Sequence, residues 1–238
     1  MRLAVFADVH SNIHAFNEVL DDINGRQADM TVCAGDLVGY APFPNEVIEV
    51  IRKKKVPTVM GNYDDGVAFH RIACGCDYPD EEAMRLGEAS LKWTKEHISD
   101  ENREFLRALP KELRLEVAGR QVLVVHGSPR RLNEYLYEDV SEEYLKELLD
   151  ESNADILICG HTHKPYHRVV WGRDIVNVGS VGKPKHGNPN AVYTMVNLGE
   201  SVSVEFIEVP YDFEATSQAI EAAGLPGRFA ELIRAGKA

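Results

Sequence analysis

Five short segments carry the side chains best suited to chemistry, and each follows a run of apolar residues. They are Asp8-Val9-His10, Gly35-Asp36, Gly61-Asn62-Tyr63-Asp64, His126-Gly127 and Gly160-His161-Thr162-His163. Unpaired Asp, Asn and His at the ends of buried strands cost desolvation free energy unless a partner such as a cation binds them. A spacing of two residues on an extended loop lets both side chains reach one ion. Asp8 and His10 have this spacing, and so do His161 and His163.

The residue types indicate which ion this would be. Mixed carboxylate, amide and imidazole ligands suit Mn²⁺, Fe²⁺ or Zn²⁺ better than ions that prefer sulfur. One carboxylate can bridge two ions about 3.5–4 Å apart, the arrangement used for in-line attack at phosphorus. Each residue alone has a simpler interpretation: Asp8 or Asn12 as a helix N-cap, Gly35-Asp36 as a turn, a single histidine as a core or surface residue. The joint pattern favours metal binding.

The elements that position these residues follow from the hydrophobic pattern. Apolar runs predict strands over 3–7, 30–34, 56–60, 121–125 and 155–159, each ending at one of the five segments. Helical spacing begins at Ile13 and ends at Gly25, and a second helix is predicted from Pro44 to Lys54. This succession predicts a parallel sheet whose strand carboxyl ends meet at one edge, where ligands bind.

The rest of the chain becomes richer in strands. The pattern predicts two helices over 79–107, which separate near Ser99-Asp100, and a hairpin over 112–118 and 121–125. It then predicts a short helix over 141–150 and mostly strands over 166–209. Two short helices follow Tyr211, and packing on the core and pairing of two chains are equally compatible with them, so a homo-oligomer stays open. We expect an α/β fold of two packed sheets with helices outside, in one domain over 1–238.

Composition restricts the partners. The formal net charge of −12 would repel a long polyanion, so no long nucleic acid is expected, whereas a small phosphorylated substrate is compatible with bound cations. No apolar run approaches the length of a bilayer span, and the start of the chain reaches Asp8 too soon for a signal peptide. We therefore expect a cytoplasmic protein without a membrane partner. Cys74-Gly-Cys76 lacks the spacer of common zinc motifs and is interpreted as a structural loop.

The five motifs, D-x-H, G-D, G-N-x-D, H-G and G-H-T-H in this order, resemble the calcineurin-like metallophosphoesterases, in particular their small prokaryotic phosphodiesterases. The resemblance covers roughly residues 1–182. It implies two mixed β-sheets sandwiched between helices in four layers, and two divalent metal ions, with Mn²⁺ favoured and Fe, Zn or Ni as alternatives. It also implies the ligands: Asp8, His10, Asp36 and His163 for the first ion, and Asp36, Asn62, His126 and His161 for the second.

The corresponding mechanism is in-line attack on phosphorus by a hydroxide that bridges the ions, with Asn62 stabilising phosphoryl charge and Asp64 orienting a neighbouring ligand. Many family members have histidine where this chain has Tyr63, and a phenol is a weak proton donor at neutral pH. The enzyme would then prefer good leaving groups. Alternatives are that His70 donates the proton or that Tyr63 only packs the loop.

Substrate selection is expected from the segment around 71–78 and from the loops carrying Arg130-Arg131 and Gly179 to Lys183. Among these, Arg130, Gly179 and Ser180 are the predicted substrate-binding residues. Lys183 and Lys185 are interpreted as solvated surface residues, with phosphate binding as the alternative.

Function is therefore predicted as hydrolysis of small phosphodiesters or phosphomonoesters. Three alternatives stay open: a phosphoprotein phosphatase, a nuclease, and a phosphoesterase-like scaffold with little catalysis that binds partner proteins. The acidic charge disfavours the nuclease, and the complete set of ligands disfavours the scaffold.

Overall fold

A computed structural model describes residues 1–78, 80–199 and 201–237 of the protein. Within these ranges the strands form two mixed sheets. The strands are β1 (Arg2–Phe6), β2 (Met30–Cys33), β3 (Glu112–Val117), β4 (Arg120–Val125), β5 (Ile156–Cys159), β6 (Tyr166–Val170), β7 (Arg173–Asn177), β8 (Ala191–Leu198) and β9 (Val202–Val209). The first sheet has the order β2-β1-β8-β9 and the second β3-β4-β5-β7-β6. β1 pairs in parallel with β2, and β5 in parallel with both β4 and β7.

Alternation along the strands explains why the two sheets stack. In β1, Leu3 and Val5 pack against residues of the second sheet such as Val124 and Ile158. The intervening Ala4 and Phe6 belong to a different core cluster, beneath helices of the first sheet. Because successive side chains of a strand point to opposite faces, each sheet is covered on both sides. The expected α/β fold, two mixed sheets flanked by helices, is confirmed.

The helices lie on the outer faces of the sheets. They are α1 (Ile13–Gly25), α2 (Pro44–Lys54), α3 (Asn62–Ala68), α4 (Glu81–His97), α5 (Asp100–Arg107), α6 (Glu142–Ser152), α7 (Phe213–Ala222) and α8 (Gly227–Ala235). α6 covers the second sheet, where Leu145 and Leu149 pack on Leu157. Ser99 caps α5 by accepting the N–H of Asn102, which explains the predicted separation of α4 from α5. Pro79, the first residue of that predicted segment, lies outside the described residues.

Two expectations about the sheets were wrong. Residues 56–60 form no regular strand, because only Thr58 makes a bridge with Cys33. The five motif segments also do not follow strands of one sheet: β1 and β2 lie in the first sheet and β4 and β5 in the second. Their carboxyl ends nevertheless point to the same end of the sandwich. No helix in the described part of the chain is long and apolar enough to cross a membrane.

Candidate metal centre

Side chains from both sheets meet at this end of the sandwich in two buried groups. Asp8, His10 and His163 form the first group, and Asp36, His126 and His161 form the second. In each group the candidate ligand atoms lie within 4.8 Å of one another. The structure thus brings together six residues that the sequence had scattered, and Asn62 joins the second group.

Hydrogen bonds to backbone carbonyls set the orientation of three imidazoles. Nδ1 of His10 bonds the carbonyl of Val38 at 3.0 Å and Nδ1 of His126 that of Ala34 at 2.9 Å. In the same way, Nδ1 of His163 bonds the carbonyl of Lys183 at 2.6 Å. A carbonyl only accepts, so each Nδ1 carries a proton and each Nε2 is turned toward the centre. In His10 and His163, whose rings are neutral, this Nε2 presents a lone pair. Histidines that bind metal ions commonly donate the other ring N–H to a backbone carbonyl in this way, which fixes the ring.

Most of the atoms that converge are hydrogen-bond acceptors. Nε2 of His10 and Nε2 of His163 are 3.3 Å apart, and Asp8 Oδ1 lies 3.3 Å from the latter. Asp8 Oδ1 has no hydrogen-bond partner among the described residues although it is fully buried. In the second group, His126 Nε2 lies 2.9 Å from Asn62 Oδ1 and 3.2 Å from His161 Nδ1. Buried lone pairs that face one another fit a site for cations.

Asp36 lies between the two groups. Its Oδ2 is 3.7 Å from His10 Nε2 in the first group and 3.4 Å from His126 Nε2 in the second. Its Oδ1 accepts the N–H of Tyr63 at 2.8 Å, which fixes the plane of the carboxylate. This is the position that a bridging carboxylate requires.

The backbone around the centre is strained. The φ angles of Asp8, His10, Asp36, His161 and His163 lie between 48° and 66°, in the left-handed region that few residues other than glycine adopt. Neighbouring glycines allow the close packing: a Cβ at Gly61 would lie 2.0 Å from Asp36 Oδ1, and one at Gly160 2.8 Å from Asp8 Oδ2. Gly61 and Gly160 are therefore required by space, since neither has a positive φ angle.

Asn62 and Asp64 hold this geometry from the first turn of α3. Asn62 donates from Nδ2 to the carbonyl of Cys74 at 3.2 Å, which leaves its Oδ1 directed at the centre. Asp64 is fully buried and accepts the N–H groups of Asp36, Leu37 and Gly61 at 2.9 to 3.0 Å. The Asp64 carboxylate thereby ties the loop of Asp36 to the loop of Asn62, but it does not line the cavity described below.

Burial sets the protonation of the ligands. It lowers the pKa of His10 to about 3 and holds the pKa values of His161 and His163 well below their ordinary range. His126 differs: burial opposes its charge, but the carboxylate of Asp36 outweighs this and, with Asp8, raises its pKa to about 10. Burial also raises the pKa of Asp64 to about 7, with the Asp36 charge as the second cause. Without a cation, His126 therefore carries the balancing proton.

A cavity of about 320 Å³ opens above the centre. Tyr63 lines it and is nearly fully buried, with its ring 5.4 Å from that of His10 and 4.7 Å from that of Tyr40. Its hydroxyl has no partner within hydrogen-bond distance among the described residues. His70, the alternative proton donor, is exposed and does not line the cavity.

The three predicted substrate-binding residues do not line this cavity. Arg130 pairs with Glu151 at 2.6 Å and stacks on Tyr144, so it is directed along the protein surface. Ser180 donates to the carbonyl of Asp8 and accepts the N–H of Lys183, both at 2.9 Å. Gly179, with φ of 76°, starts this turn. Neither Gly179 nor Ser180 lines the cavity, because both support the loop that carries Asp8.

Sequence reasoning missed several residues that do line the cavity. Lys183 and Lys185 are half-buried in its wall rather than solvated on the surface. Cys76 also lines it and accepts a hydrogen bond from Asn62 Nδ2 at 3.1 Å. Further lining residues come from α8, among them Phe229 and Leu232. The alternation of lysine and proline after Gly182 was the local signal that could have indicated the two lysines as cavity residues. No local pattern in α8 indicated that this helix lines the cavity.

Comparison with known proteins places the chain among phosphoesterases. Residues 1–201 match the calcineurin-like phosphoesterase superfamily domain. The chain is 30% identical to an uncharacterised protein of Methanocaldococcus jannaschii, over 99% of this chain and 98% of that one. It resembles the solved metallophosphoesterase from Sphaerobacter thermophilus with 28% identity and a TM-score of 0.79, covering 99% of both chains. A hypothetical protein of Pyrococcus horikoshii shares the fold at 24% identity, with a TM-score of 0.83 and 99% and 98% coverage.

Proposed function

The chain belongs to the calcineurin-like phosphoesterase superfamily, whose members are metal-dependent phosphoric ester hydrolases, and we propose that it hydrolyses small phosphodiesters or phosphomonoesters at a dinuclear metal centre. The observation that carries this proposal is the position of Asp36 Oδ2 between two groups of inward-facing nitrogen and oxygen lone pairs.

The side chains fit two divalent ions. We assign Asp8, His10, Asp36 and His163 to one ion and Asp36, Asn62, His126 and His161 to the other. Support comes from the unpartnered Oδ1 of Asp8 and from the three Nδ1–carbonyl hydrogen bonds that aim Nε2 inward. The donor set suits Mn²⁺ best, with Fe, Zn or Ni as alternatives. When bound, such ions activate water near neutral pH and neutralise charge on phosphoryl oxygens.

The chain's own residues then act around the ester. Asn62 donates from Nδ2 to the carbonyl of Cys74 and to Cys76 Sγ, so it presents only its acceptor Oδ1 to the centre and would hold the second ion rather than a phosphoryl oxygen. Tyr63 can donate a hydrogen bond toward the leaving oxygen, but it remains a weak acid because burial raises its pKa well above the ordinary range. We infer a preference for aryl esters or anhydrides, whose leaving groups need little protonation.

The cavity favours a small substrate over the alternatives. Its walls, including Tyr40, Phe229 and Leu232, enclose about 320 Å³, near the lower end of the volumes typical of small-molecule sites. A nuclease would need a basic face, and the net charge of −12 opposes one. We further propose a single domain over 1–238, supported by the packing of α8 on Tyr40 and Ala41. A cytoplasmic location is a separate proposal.

The experiment is a panel of aryl and alkyl phosphodiesters and phosphomonoesters, measured across Mn²⁺, Fe²⁺, Ni²⁺, Zn²⁺ and Mg²⁺. We expect hydrolysis that requires added metal and that is abolished in Asp36→Ala and Asn62→Ala. Asp65→Ala, next to the site but paired with Arg71 at the surface, is the matched control and should retain activity. Comparable turnover by metal-stripped protein or by Asp36→Ala would contradict the proposal.

A further inference from the structure

Two lysines in the cavity wall have no carboxylate partner. Lys183 and Lys185 are half-buried, and no carboxylate of the described residues lies within 4.0 Å of either ammonium group. The acidic side chains that line the same cavity make no ion pair with the lysines. They are Asp36 at the metal groups, Asp77 and Asp80 before α4, and Glu82 at the start of α4. Two like charges that are withdrawn from water without a counter-ion cost free energy. This cost indicates that the two ammonium groups bind an anion.

The side chain of Lys183 runs toward α8. Its ammonium lies 4.2 Å from the centre of the Tyr40 ring, and that ring contacts Phe229 of α8 at 5.3 Å. No hydrogen bond or ion pair joins the ammonium to any of the seven proposed metal ligands within the described chain. The same ring contacts His10 of the first metal group at 4.9 Å, so the charge lies beside the metal groups, on the side of the cavity that faces α8.

The backbone of the lysine loop is fixed at several points. Lys183 accepts from His163 Nδ1 at 2.6 Å and donates to Ser180 Oγ at 2.9 Å. Gly182 donates to the carbonyl of Asp8 at 2.9 Å, and Gly187 donates to that of Gly236 just after α8. The loop is thus anchored to both the centre and the end of α8, so the lysines are presented at a fixed distance from the metal groups.

We propose that Lys183 and Lys185 form an anion subsite for a second, non-scissile phosphate group of the substrate. The substrate class is a phosphoester with an additional phosphate, in which the part between the two phosphates lies against Leu86, Phe229 and Leu232. Arg228 also lines this end, but Glu231 already pairs with it at 2.7 Å, and Lys237 is exposed, so the two half-buried lysines carry the charge that is withdrawn from water. The inference rests on the proposed function and narrows its substrates.

Two substrates that differ in one remote phosphate test this subsite. Thymidine 5′-(4-nitrophenyl phosphate) and its 3′-phosphorylated form release the same nitrophenolate, so kcat/KM reports the 3′-phosphate alone. We expect wild-type protein to prefer the phosphorylated form by about tenfold, the size of one charged hydrogen bond. Lys183→Met and Lys185→Met should lose this preference, whereas Lys183→Arg and Lys185→Arg should keep most of it.

Lys164→Met is the matched control, because Lys164 is exposed outside the cavity. Equal turnover of both substrates by wild type, or an equal loss on both in the methionine variants, would overturn the subsite while the proposed function stands. If neither substrate is hydrolysed, the proposed function fails. The subsite is then judged from the Tm measured with each ligand. Thymidine 3′,5′-bisphosphate should raise the Tm of wild type more than thymidine 5′-monophosphate does, and this difference should disappear in Lys185→Met. Equal shifts in wild type would overturn it.

Discussion

Tyr63 is the third residue of the G-N-x-D motif, and its surroundings explain what it can do. The ring packs between Tyr40 and His10 at the cavity wall, and a Cβ at Gly39 would lie 2.4 Å from Tyr63 Cδ1. The phenol therefore both fills space and presents a hydroxyl without a partner among the described residues. Packing and hydrogen-bond donation, which were separate interpretations in the sequence, describe the same side chain.

Replacing Tyr63 with histidine should change leaving-group preference. An imidazole can protonate a poor leaving group, a contribution of about 10²-fold or more in general acid catalysis. Tyr63→His should therefore speed hydrolysis of alkyl esters more than that of aryl esters, as measured by kcat on matched diesters. Tyr63→Phe serves as the control for packing. Equal effects of Tyr63→His on both ester classes would argue against a leaving-group role.

Asp64 does not line the cavity, but we expect its carboxylate to contribute to the stability of the fold. Its carboxylate accepts three buried N–H groups, and an amide in its place would leave at least one of them unpaired. Asp64→Asn should lower the free energy of unfolding by about 2 kcal/mol, measured by urea denaturation of the metal-free protein. Asp65→Asn, one residue further and at the surface, should cost much less. Similar losses in both variants would refute the bracing role of Asp64.

Metal affinity should depend on pH through His126. Its pKa of about 10 in the metal-free protein means that the proton must leave when Nε2 binds a cation. Apparent affinity should therefore fall by about tenfold per pH unit as the pH is lowered from about 8 to about 6, with release of about one proton on binding. Calorimetry in buffers of different ionisation enthalpy measures both quantities. Affinity that is constant over this range would contradict the assignment.

At the scale of elements, α8 connects the end of the chain with the cavity. Phe229 is 3% exposed and packs with Ala41, Ile220 and Ile233, and it also lines the cavity beside Tyr40. The strands supply the proposed metal ligands, whereas this helix supplies the opposite wall. We therefore expect α8 to affect substrate binding more than turnover.

Phe229→Ala tests this division of roles. The truncation should cost about 3 kcal/mol of stability and open the cavity, so KM should rise more than kcat falls. Both are measured on an aryl phosphodiester, with Phe105→Ala, a partly buried residue of α5 away from the cavity, as the control. A fall in kcat at constant KM would instead place α8 in the catalytic step.

At the scale of the whole molecule, the centre was more predictable than the surfaces around it. Asp8, Asp36 and His161 could be located because each directly follows an apolar run, and the end of a buried strand restricts where such a side chain points. Nothing near β4 in the sequence assigns it to a different sheet from β1. The partner of Arg130 is Glu151, 21 residues away, and the direction of Lys183 depends on Tyr40. Such side-chain contacts follow from tertiary packing rather than from local pattern.

The measurement that tests the dinuclear centre most directly is a titration of metal-free protein with Mn²⁺, following bound metal per chain and hydrolysis of an aryl phosphodiester in the same samples. We predict two ions per chain, with activity that requires both. Asp36→Asn should weaken binding of both ions, because its Oδ2 lies between the two groups. Saturation at one ion per chain, or full activity before the second ion binds, would contradict the account.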